Sequence, residues 1–422
     1  MARELYIFIQ LPQSIATVVA GLFALEENIE PAVGRFVYAR SYLEREEAVP
    51  LDPVALPLSN QEFVTTFNRG YFGVLRDSMP DAWGRHVVAA LGVGRIESDF
   101  DYLLLPAGDR VGALRFGKDP ATPIIDEPVA HSARISQALI AGLSKIADEQ
   151  PLTALEREAV LAAGGATTAG GARPKFTLED GGALWLVKLP RNDDKWNYAR
   201  AESAMLDLAA ECGIEVPEHD VRDIGGRQAL FVKRFDRVLD ASGVLRHRVV
   251  SAATVFCADE TYYRFAPQGS YMRLARELER WTTNVTQERR ELFRRVAFNC
   301  LAGVTDDHER NHALLAEGTH FRLAPAFDLV PQPGNTQRRF LSLIVGDFGS
   351  AAARQNLISS SDAFGLSVRE ANGIIDAIQA AVRANWRKCC ADRGVTETDV
   401  SRIEACFDPP FFESELPPNA VM

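Results

Sequence analysis

The chain has 422 residues, an apolar fraction of 47% and a formal net charge of −11, which is typical of a globular protein with two or three domains. Its 46 Lys and Arg against 57 Asp and Glu argue against direct nucleic-acid binding, because phosphate contacts need clustered cations. No apolar run approaches the roughly 20 residues that span a bilayer, and no signal-peptide cleavage pattern follows the first residues. Six scattered cysteines, two of them adjacent, favour a reducing, cytoplasmic location without membrane contact.

The first part of the chain is predicted to be rich in strands. Residues 5–65 alternate short apolar segments with Pro and Gly, a pattern typical of β-hairpins. Asp81 is well placed to cap a helix that runs through Leu91, and residues 111–116 predict another strand. Residues 135–163 are predicted to be helical and amphipathic.

After a Gly-rich segment at 164–175, the pattern is mixed and then helical. The next residues, FTLEDGGALWLVKL, predict two strands joined by a Gly-Gly turn. A helical stripe covers 200–212, and QALFVKRF at 228–235 predicts a strand. Long helices are then predicted to end at Gly303 and before Gly394.

The densest polar cluster is TDDHERNH at 305–312, and it has two interpretations. As H-E-x-x-H it fits a zinc peptidase, in which a helix carries His308 and His312 on one face and the Glu between them acts as base. As D-x-x-x-x-N, Asp306 and Asn311 have the spacing of a kinase catalytic loop, where the Asp orients the acceptor hydroxyl and the Asn holds magnesium. The flanking residues predict a helix end and a hairpin, which favours the second interpretation.

A further carboxylate is predicted to lie beside this cluster. If residues 312–315 and 321–324 form a hairpin, Asp328 returns close to residues 308–311. Acidic groups and an amide that converge at a strand end suit a hard cation with oxygen ligands.

Lys188 lies on the same face of a predicted strand as Leu184 and Leu186, so a cation is carried on an apolar face. A buried Lys needs a partner, and Glu202 on the next helix is well placed to be one. The Gly-rich loop lies one hairpin upstream, which gives the order loop, Lys strand and Glu helix of a kinase small lobe. Glycines in such a loop let backbone N–H groups approach phosphates closely.

Together, these segments resemble the HipA-like serine/threonine kinases, the toxins of bacterial HipBA-type toxin–antitoxin pairs. The resemblance covers nearly the whole chain, in GRFVYARSYL, GYFGVLRDSMPDAWGR, VGALRF, GGARPK, WLVKLP, FVKRFDR, LFRRVAFNCLAG, TDDHERN and LAPAFDLVP. It implies an α+β, protein-kinase-like bilobal fold. The implied parts are a β-rich N-terminal module at 1–110, a mixed small lobe at 111–240 and a mostly helical large lobe at 241–422.

The resemblance also implies roles for the residues of the two motifs. Asp306 would be the catalytic base, and Asn311 with Asp328 would hold Mg²⁺. Lys188 would contact the phosphates of ATP.

Further nucleotide contacts are implied outside these motifs. The backbone at Arg234 and Phe235 would receive adenine. The other implied nucleotide-binding residues are Glu202, Thr168, Ala169 and His308. The Gly-rich loop would carry an autophosphorylated hydroxyl on Thr168 or its neighbour Thr167, where many relatives have Ser.

The implied activity is that of a Mg-ATP-dependent toxin kinase that phosphorylates a translation component such as an aminoacyl-tRNA synthetase. The implied partner is a helix-turn-helix, HipB-like antitoxin dimer, through which alone the chain would reach DNA. The residues by themselves leave three alternatives open: a small-molecule kinase of related fold, a non-enzymatic interaction protein and the zinc peptidase.

Overall fold

The computed structural model describes residues 2–106, 109–124, 130–131, 136–163, 171–240, 243–257, 269–334 and 338–416. The chain begins with an antiparallel sheet and four short helices. In chain order, these elements are β1 (Arg3–Gln10), β2 (Thr17–Glu26), β3 (Val33–Tyr38), α1 (Arg40–Leu43), β4 (Phe63–Thr65), α2 (Gly73–Asp77), α3 (Ala82–Leu91), α4 (Asp99–Leu103) and β5 (Leu114–Gly117).

The strand order of this first sheet is β4-β3-β2-β1-β5, so β4 lies at an edge. The segment GRFVYARSYL at 34–43 belongs to the region predicted to form β-hairpins, and the strand in it, β3, is shorter than the segment. It ends at Tyr38, and Arg40–Leu43 form a helical turn. This turn brings the ring of Tyr42 parallel to that of Tyr38, 5.8 Å between centroids, and the Tyr42 hydroxyl donates to the carbonyl of Val49 at 2.7 Å.

A second sheet follows, flanked by three helices. Its elements are β6 (Ala130–His131), α5 (Gln137–Ala147), α6 (Ala154–Ala162), β7 (Lys175–Asp180), β8 (Ala183–Lys188), α7 (Tyr198–Glu211), β9 (His219–Ile224) and β10 (Arg227–Lys233). The strand order is β6-β7-β8-β10-β9.

Two details of this region concern its connections. The predicted β7–β8 hairpin is present, and its two-residue turn is Gly181-Gly182 with φ of 58° and 75°, a left-handed backbone that favours glycine. The helical character predicted over 135–163 is present, and the chain forms it as two separate helices, α5 and α6. Pro151 lies between them, and a proline lacks the N–H that a continuous helix needs.

The rest of the chain is mostly helical. Its elements are β11 (Arg237–Asp240), β12 (Gly243–Arg246), β13 (Arg248–Ser251), α8 (Ala252–Val255), α9 (Tyr271–Trp281), α10 (Val285–Ala302), β14 (Ala313–Ala316), β15 (Arg322–Leu323), α11 (Arg354–Ser359), α12 (Val368–Asp392) and α13 (Glu397–Ile403). The predicted β14–β15 hairpin is present, and β13 pairs with β14 on its other side. Gly303 ends α10 with φ of 71°, as predicted.

Two hydrophobic cores position the site. The larger core joins the first sheet to α7, α9, α10 and α12, so the two ends of the chain share one interior. The smaller core lies under the second sheet and includes Trp83 of α3. The indole N–H of Trp83 donates to the carbonyl of Lys175 on β7 at 2.9 Å. The N-terminal region therefore packs against both other parts of the chain.

No helix within the described residues is long and apolar enough to cross a membrane. All six cysteines have free thiols, and Cys257 is exposed while the other five are buried.

Candidate active site

A cavity of about 680 Å³ lies where the second sheet meets the helical part of the chain. Leu186 and Lys188 of β8 line one side, because alternate residues of a strand point to the same face. The lining also includes the linker after β10, the loop before β14 and the segment after β15. Its volume is within the range of cavities that bind small ligands and cofactors.

An ion-paired triad lies in this cavity. The Nζ of Lys188 is 2.6 Å from Oε1 of Glu202 and 2.6 Å from Oδ1 of Asp328. Burial would lower the pKa of Lys188, but the charges of Asp328 and Glu202 outweigh burial and raise it. The predicted partnership of Lys188 with Glu202 is therefore present, and it includes a carboxylate 140 residues away.

The pKa values of the two carboxylates in the triad are shifted in opposite directions. Burial raises the pKa of Glu202 although Lys188 opposes it. For Asp328, burial is outweighed by Lys188, and the pKa is lowered. Asp328 also has a φ of 59°, a left-handed backbone that is uncommon outside glycine and that clusters at functional sites. An ionised carboxylate held in a strained backbone is suited to bind a cation.

The loop before β14 supplies further ligands. Asn311 and His308 line the cavity with Asp328, so the predicted return of Asp328 to this loop is present. The side-chain amide of Asn311 donates to the carbonyl of Asp306 at 2.6 Å, which leaves the amide oxygen of Asn311 as the atom for a metal. Asp306 itself is exposed and does not line the cavity. Its carboxylate lies at the solvent side of the loop.

These groups fit Mg-ATP. Mg²⁺ is usually held by one or two protein oxygen ligands together with phosphate oxygens. Asp328 has a second carboxylate oxygen beyond the one that contacts Lys188, and Asn311 has its amide oxygen. Lys188 would supply the cation for the phosphate oxygens of ATP.

The zinc-peptidase interpretation of the HERNH string is wrong. Residues 304–312 form a loop and not a helix, so the two histidines do not share a helix face. His308 lines the cavity, whereas His312 is buried against Tyr271, and burial lowers the pKa of His312 to about 3. Among the described residues, no group of three or more His, Cys, Asp or Glu could hold a metal ion.

A buried polar cluster under the loop was missed by the sequence analysis. The carboxylate of Asp307 accepts hydrogen bonds from the Tyr271 hydroxyl and, at 2.7 Å, from the Ser342 N–H. The Tyr271 hydroxyl also accepts from the amide of Asn299 at 3.0 Å. The cluster ties the loop that carries Asp306 to α9 and α10. Burial raises the pKa of Asp307 to about 7.

This raised pKa predicts a pH-dependent stability. An Asp in an unfolded chain titrates near pH 3.9, so the folded chain holds an extra proton on Asp307 between about pH 4 and pH 7. The free energy of unfolding should therefore fall across this window as pH rises. We expect Asp307→Asn to flatten that slope, as measured by urea unfolding at several pH values. Other buried acids are unchanged in the variant, so identical slopes for the two proteins would refute the prediction.

The linker between β10 and β11, residues 234–236, is held by buried ion pairs. The guanidinium of Arg234 binds both carboxylate oxygens of Asp236, at 2.9 and 2.8 Å, and also contacts Asp109. Burial would raise the pKa of Asp236, but Arg234 outweighs it and the pKa is lowered. Arg234 is predicted to contact the nucleotide through its backbone. Its side chain is used in this buried network, and its backbone N–H donates to the carbonyl of Leu184 at 2.8 Å.

The predicted adenine contact would therefore depend on the atoms around Phe235. Within the described part of the chain, neither the carbonyl of Arg234 nor the N–H of Phe235 makes a hydrogen bond. The ring of Phe235 lies 5.8 Å from that of Phe327, centroid to centroid, and both rings line the cavity. An aromatic pair next to unused backbone groups suits a planar base with donors and acceptors on its edge.

The Gly-rich loop is described only at its end. Gly171 and Ala172 line the cavity, and Gly171 has a φ of 98°. The predicted nucleotide contacts and phosphoacceptors in this loop, Thr167, Thr168 and Ala169, lie outside the described residues.

The N-terminal region contributes residues to the cavity that the sequence analysis did not assign. Arg69, Arg76, Asp81 and Arg85 all line it. Lys175 of β7 pairs in register with Lys188 of β8, and burial lowers the pKa of Lys175 to about 8. Three of these four N-terminal residues lie in the segment GYFGVLRDSMPDAWGR and Arg69 directly precedes it, and the pattern of this stretch indicates structure and no chemistry.

Comparison with known families identifies the chain. Residues 167–386, more than half of it, match the model of the HipA-like C-terminal domain. The chain belongs to the HipA family. Residues 16–117 match the model of the HipA N-terminal domain as well.

Two similar proteins are named as kinases. The chain is 26% identical over 320 residues to "Putative kinase Y4mE" of Sinorhizobium fredii, which covers 70% of the chain and 71% of that protein. It is 28% identical over 170 residues to "Putative kinase" of Haemophilus influenzae, which covers 36% of the chain and 48% of that protein.

A solved structure has the same fold. It is the complex of HipA, HipB and operator DNA of a Shewanella oneidensis MR-1 toxin–antitoxin system, with a TM-score of 0.66 and 16% identity over 98% of this chain and 100% of that one. The mixed helix-and-sheet fold predicted from the sequence is thereby confirmed.

Proposed function

We propose that this chain is a Mg-ATP-dependent kinase that transfers the γ-phosphoryl group of ATP to a Ser or Thr hydroxyl of a protein. The observation that carries the proposal is the triad in which Lys188 binds both Glu202 and Asp328, in one cavity with Asn311. A Lys paired with a Glu, next to an Asp and an Asn for the metal, is the constellation that phosphoryl transfer needs. The names of the two similar proteins support it.

Each residue has a separate role in this proposal. Lys188 contacts the phosphates, and Glu202 holds its ammonium in place. Asp328 and Asn311 hold Mg²⁺, which neutralises negative charge on the phosphate oxygens when it is bound. Asp306, exposed at the solvent side of the loop, orients the acceptor hydroxyl and takes its proton as the new O–P bond forms and the bond to the leaving ADP breaks.

The proposal includes the organisation into lobes. The second sheet with α7 corresponds to a small lobe, and the mostly helical part after residue 241 corresponds to a large lobe. The linker around Phe235 is then the hinge between them. We keep the parts 1–110, 111–240 and 241–422 as the proposed division, although the first sheet reaches past residue 110, because β5 (Leu114–Gly117) pairs with β1.

The family adds a biological setting to the proposal. In the Shewanella complex HipA is assembled with HipB and operator DNA. We propose that this chain is likewise the toxin of a pair, that it binds a HipB-like antitoxin dimer and that it reaches DNA only through that partner. The net charge of −11 agrees with indirect DNA contact. A translation component as acceptor, and Thr168 or Thr167 as autophosphorylation site, are part of the same proposal.

The test is a labelling experiment with purified protein, γ-labelled ATP and a cell lysate. We expect label on protein Ser or Thr in the presence of Mg²⁺ and none when EDTA replaces it, because Asp328 and Asn311 act through the metal. Mass spectrometry of the labelled bands identifies the acceptor residue. Label on a metabolite and on no protein would instead favour a small-molecule kinase, and ATP binding without any transfer would refute the enzymatic proposal.

A further inference from the structure

A second cavity, of about 270 Å³, opens beside the first. Residues at the edge of the first sheet form one wall, and Ala253 and Thr254 of α8 with the following Cys257 form the other. Its inner end is formed by Arg310, which belongs to the same loop as Asp306. We call this second cavity the edge groove.

The edge groove is continuous with the cavity of the candidate active site. The two share lining residues, namely Asn68, Arg76, Asp77 and Arg310. Asp77 also joins the walls, because its carboxylate accepts from the N–H of Ser251 at 2.8 Å and from the hydroxyl of Thr254 at 2.7 Å. The passage between the two cavities is therefore held by hydrogen bonds between the N-terminal region and α8.

The outer end of the edge groove is apolar and exposed. Phe67 is 57% exposed and Val64 is 53% exposed, and both line the groove. Exposed apolar side chains that are adjacent in a concave surface mark interaction sites more often than isolated ones do. A ring that is half open to water gains hydrophobic stabilisation when a ligand covers it.

The backbone holds Phe67 in this exposed position. Asn68 and Arg69, which are not glycines, have φ of 50° and 58°, and Gly70 has φ of 82°. At Gly70 a Cβ would lie 2.8 Å from the backbone nitrogen of Gly34, so the turn is pressed against β3. Strained backbone of this kind persists where the surrounding structure determines it, and it clusters at functional sites.

We propose that the edge groove binds the segment of the protein substrate that carries the acceptor hydroxyl. The hydroxyl enters the active-site cavity past Arg310, and an apolar side chain near it in sequence packs against Phe67. The substrate class is then a protein segment with an apolar residue close to the phosphorylated Ser or Thr. This inference rests on the proposed kinase function, and its occupant follows from the continuity of the groove with the site of transfer.

The first test changes the apolar end. Phe67→Ser is compared with Leu155→Ser, which removes an apolar side chain that is somewhat more exposed, at 67%, and lines neither cavity. Acceptors are a peptide library with a central Ser or Thr and, in parallel, lysate proteins. We expect Phe67→Ser to raise the acceptor KM about tenfold with the KM for ATP unchanged, and Leu155→Ser to match the wild type. The wild type should prefer peptides with an apolar residue at a fixed distance from the acceptor.

The second test uses the natural thiol of the groove. Cys257 is the exposed cysteine, so N-ethylmaleimide should modify it before the five buried ones. We expect modification to lower phosphorylation of both acceptors about tenfold or more while the Kd for ATP stays the same. Treated and untreated Cys257→Ser should not differ from each other.

The outcomes separate the inference from the function. In one outcome, the wild type phosphorylates acceptors without preferring a nearby apolar residue, while Phe67→Ser and maleimide leave the activity unchanged. That result overturns the role of the edge groove and leaves the proposed kinase function standing. A wild type that phosphorylates no acceptor overturns the proposed function and this inference with it.

Discussion

Asp306→Asn is expected to lower kcat for phosphoryl transfer about a thousandfold and to leave Mg-ATP binding intact. The side chain of Asp306 is exposed and lies outside the lining of the candidate active-site cavity, so we do not expect it to hold ATP. Its structural contact is made by its backbone carbonyl, which accepts from Asn311 at 2.6 Å and is retained in the variant. Single-turnover kinetics and calorimetric titration with Mg-ATP measure the two effects separately.

Asp328→Asn provides the matched control, because it also replaces one carboxylate by an amide. Asp328 lies inside the cavity and pairs with Lys188, so we expect this variant to lose Mg²⁺-dependent nucleotide affinity together with transfer. Equal loss of ATP binding in both variants would contradict the separate roles of the two carboxylates. Transfer by Asp306→Asn at the wild-type rate would remove Asp306 from the mechanism.

The second large effect concerns stability. Lys188→Met is expected to lower the free energy of unfolding at neutral pH by about 3–5 kcal/mol, because it leaves the carboxylate of Glu202 buried without its cation. The Glu202 side chain is only 5% exposed, whereas that of Asp328 is 35% exposed and keeps contact with water. Urea unfolding with linear extrapolation measures the loss.

A double substitution tests the physical reason. When Glu202→Gln is added to Lys188→Met, the buried charge disappears, and most of the lost stability should return. The interaction energy of the two changes is then large and of opposite sign to the single losses. If the two losses simply add, the triad does not act as a unit and the explanation fails.

The sequence predicted the residues of the site that local patterns specify. Period-two alternation placed Lys188 on an apolar strand face, where a buried ammonium needs a carboxylate partner. Glu202 is that partner. The hairpin prediction brought Asp328 back to the loop of Asn311. In each case the contact follows from strand geometry over a short stretch of chain, which the sequence expresses directly.

Other parts of the site depend on contacts between distant segments. Asp307 reads as an ordinary turn carboxylate, and only the fold places Tyr271 and Ser342 beside it. The network of Arg234 likewise requires Asp109, 125 residues earlier. The break between α5 and α6 coincides with Pro151, whereas the hydrophobic periodicity of residues 135–163 indicates only that the region is helical.

The packing of the N-terminal region against the rest of the chain limits which parts of the gene can be exchanged by recombination. The residues matched by the C-terminal domain model begin at 167, yet Trp83 fills the core under the second sheet and Asp109 neutralises part of the charge of Arg234. A gene fragment limited to the matched residues would encode a chain with an open core and an unbalanced buried cation. The C-terminal part is therefore not expected to fold by itself. Recombination would preserve its fold only when the N-terminal segment is transferred together with it.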